Sequence, residues 1–498
     1  MFLPFGTFSP EIKLGLVSAS RDCFPRELSE RRTKRLLEAS AAAGLSLVVP
    51  TGKCQIIETS DDALDAARQL KQAGCDAAVL FLGNFSPEIE DARFVKEFGG
   101  EVMVLAAAEE SASTLARDRG DALCGLLSAA LAMRKRGLTV HLPADPIVDE
   151  RAGVAEIQRF IRITKVAKGI RSARIGLFGP RPRDFETCNY NLASLQSLGV
   201  EVEEFGFHDL VDEVEKVREK GALAEVEASM RGEVGAIPDD FIHRLSAYEV
   251  AVRTLREKLK LSGMTTQCWP KQEFALKHVP CYINARMAGR GFPVACENDA
   301  YSLVSELLGQ YATDASVAIL DINHSIPAGF HASLSAYPAQ DIVGLFHCGN
   351  TDARRLKNPE LKHQVIMKRL MEPEGPADIT RGTLEGQIAA SPITVLQIHG
   401  VGDRLRAYIA EGEFLDLDPK TFGSTGTAYI PGFRRFYRHV MLGRFHHHAA
   451  VAFAHCGDVL FDALKMLGVE EIYTPYPDSI PYPGENTFRS GFARPGKS

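Results

Sequence analysis

The sequence predicts an α/β protein: two doubly wound, Rossmann-like α/β domains followed by a β-rich C-terminal domain. Three observations carry that prediction. Over the first third, apolar strand-like runs alternate with amphipathic helical stretches, the pattern of a parallel sheet covered by helices. The alternation restarts at Ala173-Arg174-Ile175-Gly176-Leu177-Phe178. From Val317 onward, short segments rich in Thr, Val, Gly and Pro take over, a texture of antiparallel strands and frequent turns. These shifts divide the chain into 1–170, 171–311 and 312–498.

In order along the chain, 13–18 reads as a strand. The loop Arg21-Asp22-Cys23-Phe24-Pro25-Arg26 and a helix over about 28–43 follow it. Strands at 45–50, 77–82 and 101–105 flank helices at about 61–73, within 118–136 and at about 154–168. The 77–82 strand runs into the loop Gly83-Asn84-Phe85-Ser86-Pro87. In the second part, strands at 173–178 and 200–205 enclose a helix at about 189–198. Highly charged helices fill 209–231 and 238–260, their charge runs reading as solvated faces. A helix over about 300–310 precedes the β-rich part, where 393–399 and 404–409 read as strands and about 457–467 as a late helix. The tail, 473–498, is rich in Pro and Gly and reads as a segment that wraps over a neighbour or stays mobile. No repeat of solenoid period occurs.

At 498 residues, 45% hydrophobic and 24% charged, the chain has the length of roughly three domains. Its formal net charge of -7 argues against nucleic acid as the main partner, since phosphate binding needs a basic face. No apolar run is long enough to predict a membrane span. Nor does Met1-Phe2-Leu3-Pro4-Phe5-Gly6 show the basic region of a signal peptide. Ten cysteines without C-x-x-C pairs read as reduced thiols, so the expected compartment is the cytoplasm.

The chemistry centres on Pro293-Val294-Ala295-Cys296-Glu297-Asn298-Asp299. A second acid, Asp321, ends the apolar run Val317-Ala318-Ile319-Leu320, and His446-His447-His448 lies far downstream. Two carboxylates at strand ends and an imidazole suit a hard or borderline divalent cation such as Mn²⁺, with positions left for vicinal substrate oxygens. Taken singly, each has a plainer reading. Glu297 is a good helix-start acid, Asp321 a turn residue, and the histidine run a surface feature. Apolar residues on both sides of that run weaken the last of these. Gln267 beside Trp269, the only tryptophan, offers a polar group and an apolar face to a sugar; a core Trp with a surface Gln is the equal alternative. Gly176-Leu177-Phe178-Gly179 is followed by Pro-Arg-Pro, not by the third glycine of a dinucleotide-binding turn.

Taken together, these residues and their order resemble the L-fucose isomerase family and its relative L-arabinose isomerase, metal-dependent aldose–ketose isomerases, over the whole chain. The resemblance puts the family's Glu, Asp and distant His on Glu297, Asp321 and His448, with Ala454-His455-Cys456-Gly457-Asp458 following at the expected distance. Phe81-Leu82-Gly83-Asn84-Phe85-Ser86-Pro87 is similar to a Thr-Phe-Ser-Pro loop of the first domain. It implies an L-fucose isomerase-like fold and a Mn²⁺ or other divalent cofactor. Glu297 and Asp321 then act both as ligands and as the proton-transferring pair, through a cis-enediolate. Which of the two removes the proton is left open.

Gln267, Trp269, His347 and His447 are read as substrate-binding. So are Arg21, Arg26 and Phe85, through a neighbouring subunit of a homo-oligomer, a trimer or hexamer. The surroundings of Arg444 depart from a true L-fucose isomerase, and the chain is shorter than the bacterial form. Arg21, Arg26 and Arg444 could accommodate an anionic group, so the expected substrate is an aldohexose or deoxyhexose with a polar or anionic C6 substituent, such as a sulfonated deoxyhexose. The alternatives are an L-fucose/D-arabinose or L-arabinose isomerase proper, or a non-catalytic sugar-binding protein.

Overall fold

Six short strands near the N-terminus pair entirely in parallel. They are β1 (Leu14–Ala19), β2 (Leu47–Val48), β3 (Ile56–Ile57), β4 (Ala77–Leu82), β5 (Glu101–Ala107) and β6 (Ile147–Val148), in the order β2-β1-β4-β5-β6 with β3 also on β1. All residues of β1 and β4 are buried, as a parallel sheet covered on both faces requires. The covering helix Ser60–Gln72 starts at a capping box between Thr59 and Asp62. The helix Glu88–Phe98 occupies a stretch from which the sequence predicted no element. It begins after Pro87 and carries three acids in its first turn, which favour a helix N-terminus.

This computed structural model describes residues 5–6, 8–323, 326–402, 404–476 and 486–492; most of the Pro/Gly-rich tail lies outside them. The chain forms two compact units, 11–165, and 1–10 with 166–498, and each is described by itself.

The second unit begins with another parallel sheet. Its strands β7 (Arg174–Phe178), β8 (Glu201–Phe205), β9 (Gly263–Thr266) and β10 (Val294–Ala295) lie in the order β10-β9-β7-β8. The chain passes from β7 to β8 on one side and returns to β9 on the other. Loops leaving β7 and β9 therefore diverge, opening a crevice at the carboxyl ends of the strands.

The remaining strands form one nine-stranded sheet. They are β11 (Val317–Ile322), β12 (Ile342–His347), β13 (Leu356–His363), β14 (Arg381–Ile388), β15 (Ser391–Val401), β16 (Arg404–Leu415), β17 (Ser424–Tyr429), β18 (His448–Ala452) and β19 (Glu471–Tyr473). In the order β17-β12-β11-β18-β15-β16, the last strand pairs back onto β17, so six strands close into a ring. Closure removes the exposed edges of those strands. Two helices, Val365–Met371 and Phe433–Leu442, interrupt the region read as β-rich. In the second, Phe433, Phe436 and Val440 are buried at helical spacing, inside a run whose arginines disguise it. The helix Ala300–Thr313, buried from Ala300 to Ala312, packs against both the parallel sheet and the ring. The α/β and β-rich architecture thus agrees with the fold class expected from the sequence.

Candidate active site

Three strand ends and one turn converge. Asp321 of β11 and His448 of β18 are directly opposed in antiparallel register, and Asp321 is paired on its other side with Phe346 of β12. His347 ends β12. Glu297 follows β10 in a short turn where both it (φ 53°) and Asn298 (φ 56°) are left-handed. That conformation costs an ordinary L-residue of order 1 kcal/mol or more and gathers at functional sites. The Asn298 carboxamide oxygen accepts from the Thr265 hydroxyl, which fixes the turn to β9.

His448 is the shared member of the cluster. Its Nε2 lies 3.9 Å from Glu297 Oε2 and 3.7 Å from Asp321 Oδ1, while its Nδ1 is 2.8 Å from Asp299 Oδ2. Asp299 also caps the helix Ala300–Thr313, accepting from the Ser302 backbone N–H at 3.0 Å and its hydroxyl at 2.6 Å. Trp269 Nε1 donates to Glu297 Oε1 at 3.1 Å. Glu297 Oε2 and Asp321 Oδ1 are buried and accept no hydrogen bond among the described residues. Such atoms are costly unless a cation or ligand meets them.

The electrostatics follow from this packing. Burial raises the Glu297 carboxyl and lifts Asp321 to about 7. Burial alone would lower His448, but the Asp299 hydrogen bond and the charges of Asp299, Glu297 and Asp321 outweigh it and raise the ring to about 9. For Asp299, burial is opposed by His446 and His448, which hold its carboxyl well below the usual range. A proton on His448 Nε2 thus stands where a metal ion would supply positive charge.

The donor set fits a divalent cation. Ligand atoms each roughly 2.1 Å from one ion stand at most about 4.2 Å apart, and both carboxylate contacts of His448 fall within that span. Two overlapping triads, Glu297–His347–His448 and Asp321–His447–His448, each bring their ligand atoms within 4.8 Å of one another, and His448 is the member they share. Two others, Cys268–Cys296–Glu297 and Cys188–Asp299–His448, include thiols that burial holds protonated, poor partners for a hard cation. Asp299 on the far ring nitrogen is the carboxylate–histidine arrangement that orients a metal-ligating imidazole.

His347 is buried, and burial lowers its ring to about 3, so it is neutral. Its Nδ1 accepts from the Cys348 backbone N–H at 2.9 Å, which leaves the proton on Nε2, 4.0 Å from Glu297 Oε2. His347 therefore presents a hydrogen-bond donor to the site. His447 is partly exposed, with Nε2 3.8 Å from Asp321 Oδ1. Gln267 is buried and donates to the Arg181 carbonyl at 3.4 Å.

Phe185 was not among the residues anticipated for this site. It stands edge-on to Trp269 at 5.1 Å and to His447 at 5.8 Å, covering the site from the loop after β7. A lone Phe in a Pro-Arg-rich loop gives no sequence signal. Asp299 did have one, in its position two residues after Glu297, but its second role as partner of His448 depends on a strand far downstream.

Arg444 is exposed in a left-handed turn, its carbonyl accepting from Arg406 at 3.5 Å. None of its described contacts joins it to the triads. Arg21 and Phe85 meet within the N-terminal unit: the guanidinium lies 4.4 Å over the ring and donates to the Ser86 carbonyl at 3.1 Å. Arg26 is paired with Glu30 and Glu58.

Residues 15–171 match the family model described as fucose/sulfoquinovose isomerase, N-terminal domain, and residues 345–474 that of L-fucose isomerase, C-terminal domain. Glu297 and Asp321 fall between the two matches. Among curated relatives, the sulfoquinovose isomerases of Priestia aryabhattai and Priestia megaterium are each 21% identical over 326 residues, 65% of this chain and 69% of theirs. That of a Clostridium species is 24% identical over 324 residues, 63% and 67% respectively. Two domains of one family, matched in order and together covering more than half of the sequence, assign this chain to the fucose/sulfoquinovose isomerase family as an aldose–ketose isomerase.

Proposed function

We propose that the chain interconverts a C6-sulfonated aldohexose, sulfoquinovose being the named substrate of its relatives, with the corresponding ketose. Glu297, Asp321 and His448 hold a divalent cation, Mn²⁺ in our reading. What carries the reading is the pair of buried carboxylate oxygens, each within 4 Å of His448 Nε2, that accept no hydrogen bond among the described residues. When bound, the cation supplies the charge that acidifies the C2 proton and polarises the C1 carbonyl.

The protein's own groups do the rest. Glu297 and Asp321, their proton affinities already raised by burial, exchange a proton between C1 and C2. His347 donates from Nε2 to a sugar oxygen. Trp269 fixes Glu297 and lends its face to the sugar, and Phe185 screens the site from water. In our reading the protein acts in the cytoplasm as a trimer or hexamer, with Arg21, Arg26 and Phe85 supplied by a neighbouring subunit and Gln267, His447 and Arg444 completing the pocket.

The test is turnover of neutral and sulfonated aldoses by Mn²⁺-loaded protein. Chelation should abolish activity and Mn²⁺ restore it, and Glu297→Gln should lower kcat by about 10²–10⁴. Full activity in excess chelator would refute the metal role.

A further inference from the structure

A cavity of about 940 Å³ lies at the carboxyl ends of β7 and β8, walled by the β7 loop and by Glu204 to Phe207, and reaches Gln267 after β9. It opens beside the proposed metal centre. Gln267 and Asn298 line it, the first lying two residues before Trp269 and the second next to Glu297 in the chain, and so does Cys188, whose sulfur groups with Asp299 and His448. The charged residues of its wall are Arg181, Arg183 and Glu204, two guanidiniums against one carboxylate, and that carboxylate is occupied by the Tyr190 hydroxyl.

We infer that this cavity is the subsite for the anionic end of the sugar, and that Arg181 reads the sulfonate. The inference rests on the substrate class proposed above and assigns the specificity to a residue of the β7 loop. Arg181 is held in place by neutral acceptors. Its Nε donates to Asn189 Oδ1 at 2.6 Å and its Nη1 to the carbonyls of Pro182 (3.0 Å) and Arg183 (2.5 Å). Its ion-pair partner among the described residues is Glu186, 3.9 Å from Nη2 and highly exposed, so the guanidinium keeps most of its charge. Its carbonyl takes the Gln267 amide, tying the loop to the strand end that carries Trp269. A planar, pre-oriented guanidinium whose Nη2 makes no hydrogen bond among the described residues can offer that nitrogen to a tetrahedral oxyanion.

Arg183, almost fully exposed, adds charge at the cavity mouth. Arg26 is already neutralised by Glu30 and Glu58, which makes it a weaker receptor. Arg181 and Phe185 lie in one loop, so the same segment that covers the reacting carbons would grip the far end of the substrate.

The experiment compares kcat/KM on a 6-sulfonated aldohexose and on its C6-hydroxyl counterpart, for Mn²⁺-loaded wild type, Arg181→Gln and Arg181→Lys. A charged hydrogen-bonding contact predicts that the sulfonated-to-neutral ratio falls about 10- to 100-fold in Arg181→Gln, mainly through KM, and recovers in part in Arg181→Lys. An unchanged ratio in Arg181→Gln overturns the subsite while leaving the substrate reading intact, and so does an equal loss on both sugars. If wild type itself shows no preference for the sulfonated sugar, the substrate reading fails. Inhibition of neutral-sugar turnover by methanesulfonate then decides the subsite: weaker inhibition of Arg181→Gln than of wild type supports it, and equal inhibition overturns it.

Discussion

At His448 the two ring nitrogens face different partners, Asp299 on one side and the Glu297 and Asp321 oxygens on the other. Asp299→Asn keeps a good helix cap but removes the charge that orients and stabilises the ring. We expect Mn²⁺ affinity to drop about 10- to 100-fold with little loss of thermal stability, measurable by calorimetric titration. The same geometry sets a pH dependence. Proton and cation compete for His448 Nε2, so Mn²⁺ affinity should rise with pH and level off above about 9, where the ring is already neutral. Asp321, raised to about 7, should steepen the dependence below neutrality. Titrations across that range would refute this picture if affinity stayed flat.

At the level of elements, one hydroxyl ties three parts together. Tyr301, in the first turn of the helix capped by Asp299, accepts from the Asn191 backbone N–H at 3.0 Å and shares a hydrogen bond with Ser194 at 2.9 Å. It also packs under Gly400 of β15, where an added Cβ would meet the oxygen at 2.0 Å. Tyr301→Phe should cost about 1–2 kcal/mol and lower the denaturation midpoint, while leaving the strands in place. The apolar runs of β1, β4, β7 and β11 were legible in the sequence because each is a short buried stretch bounded by turn residues. The helix Phe433–Leu442 was not, since its three buried positions are separated by arginines and histidine. Within the site, Glu297, Asp321 and the histidine run stood out by residue type and order, and the family resemblance singled out His448 within that run. The roles of Asp299 and Phe185 did not, because they depend on which loops the β7–β9 crossover and the ring bring together.

Over the whole molecule, acid stability should depend on a group remote from this chemistry. His278 is fully buried and held neutral, its ring lowered to about 4 by burial, with Nδ1 3.0 Å from the Val279 carbonyl. The unfolded chain takes up that proton near the ordinary value of about 6.5. Its folded pKa is therefore depressed, and stability is lost as pH falls from about 6.5 to 4, by roughly 3 kcal/mol. Denaturant midpoints should drop over that window in wild type and drop less in His278→Leu; parallel curves would count against this assignment.

The opposed pair of Asp321 and His448 has a further consequence, for assembly in time. The two residues sit on adjacent strands, but β12 to β17 and their connections lie between them in the chain. A chain emerging from the ribosome carries Glu297 and Asp321 long before His448, and the ring cannot close until β18 is made. A one-residue slip of β18 would turn His448 to the opposite face. Tight cation uptake would then report completed, correctly registered folding, so that metal-dependent fluorescence or relaxation could time the last step of maturation.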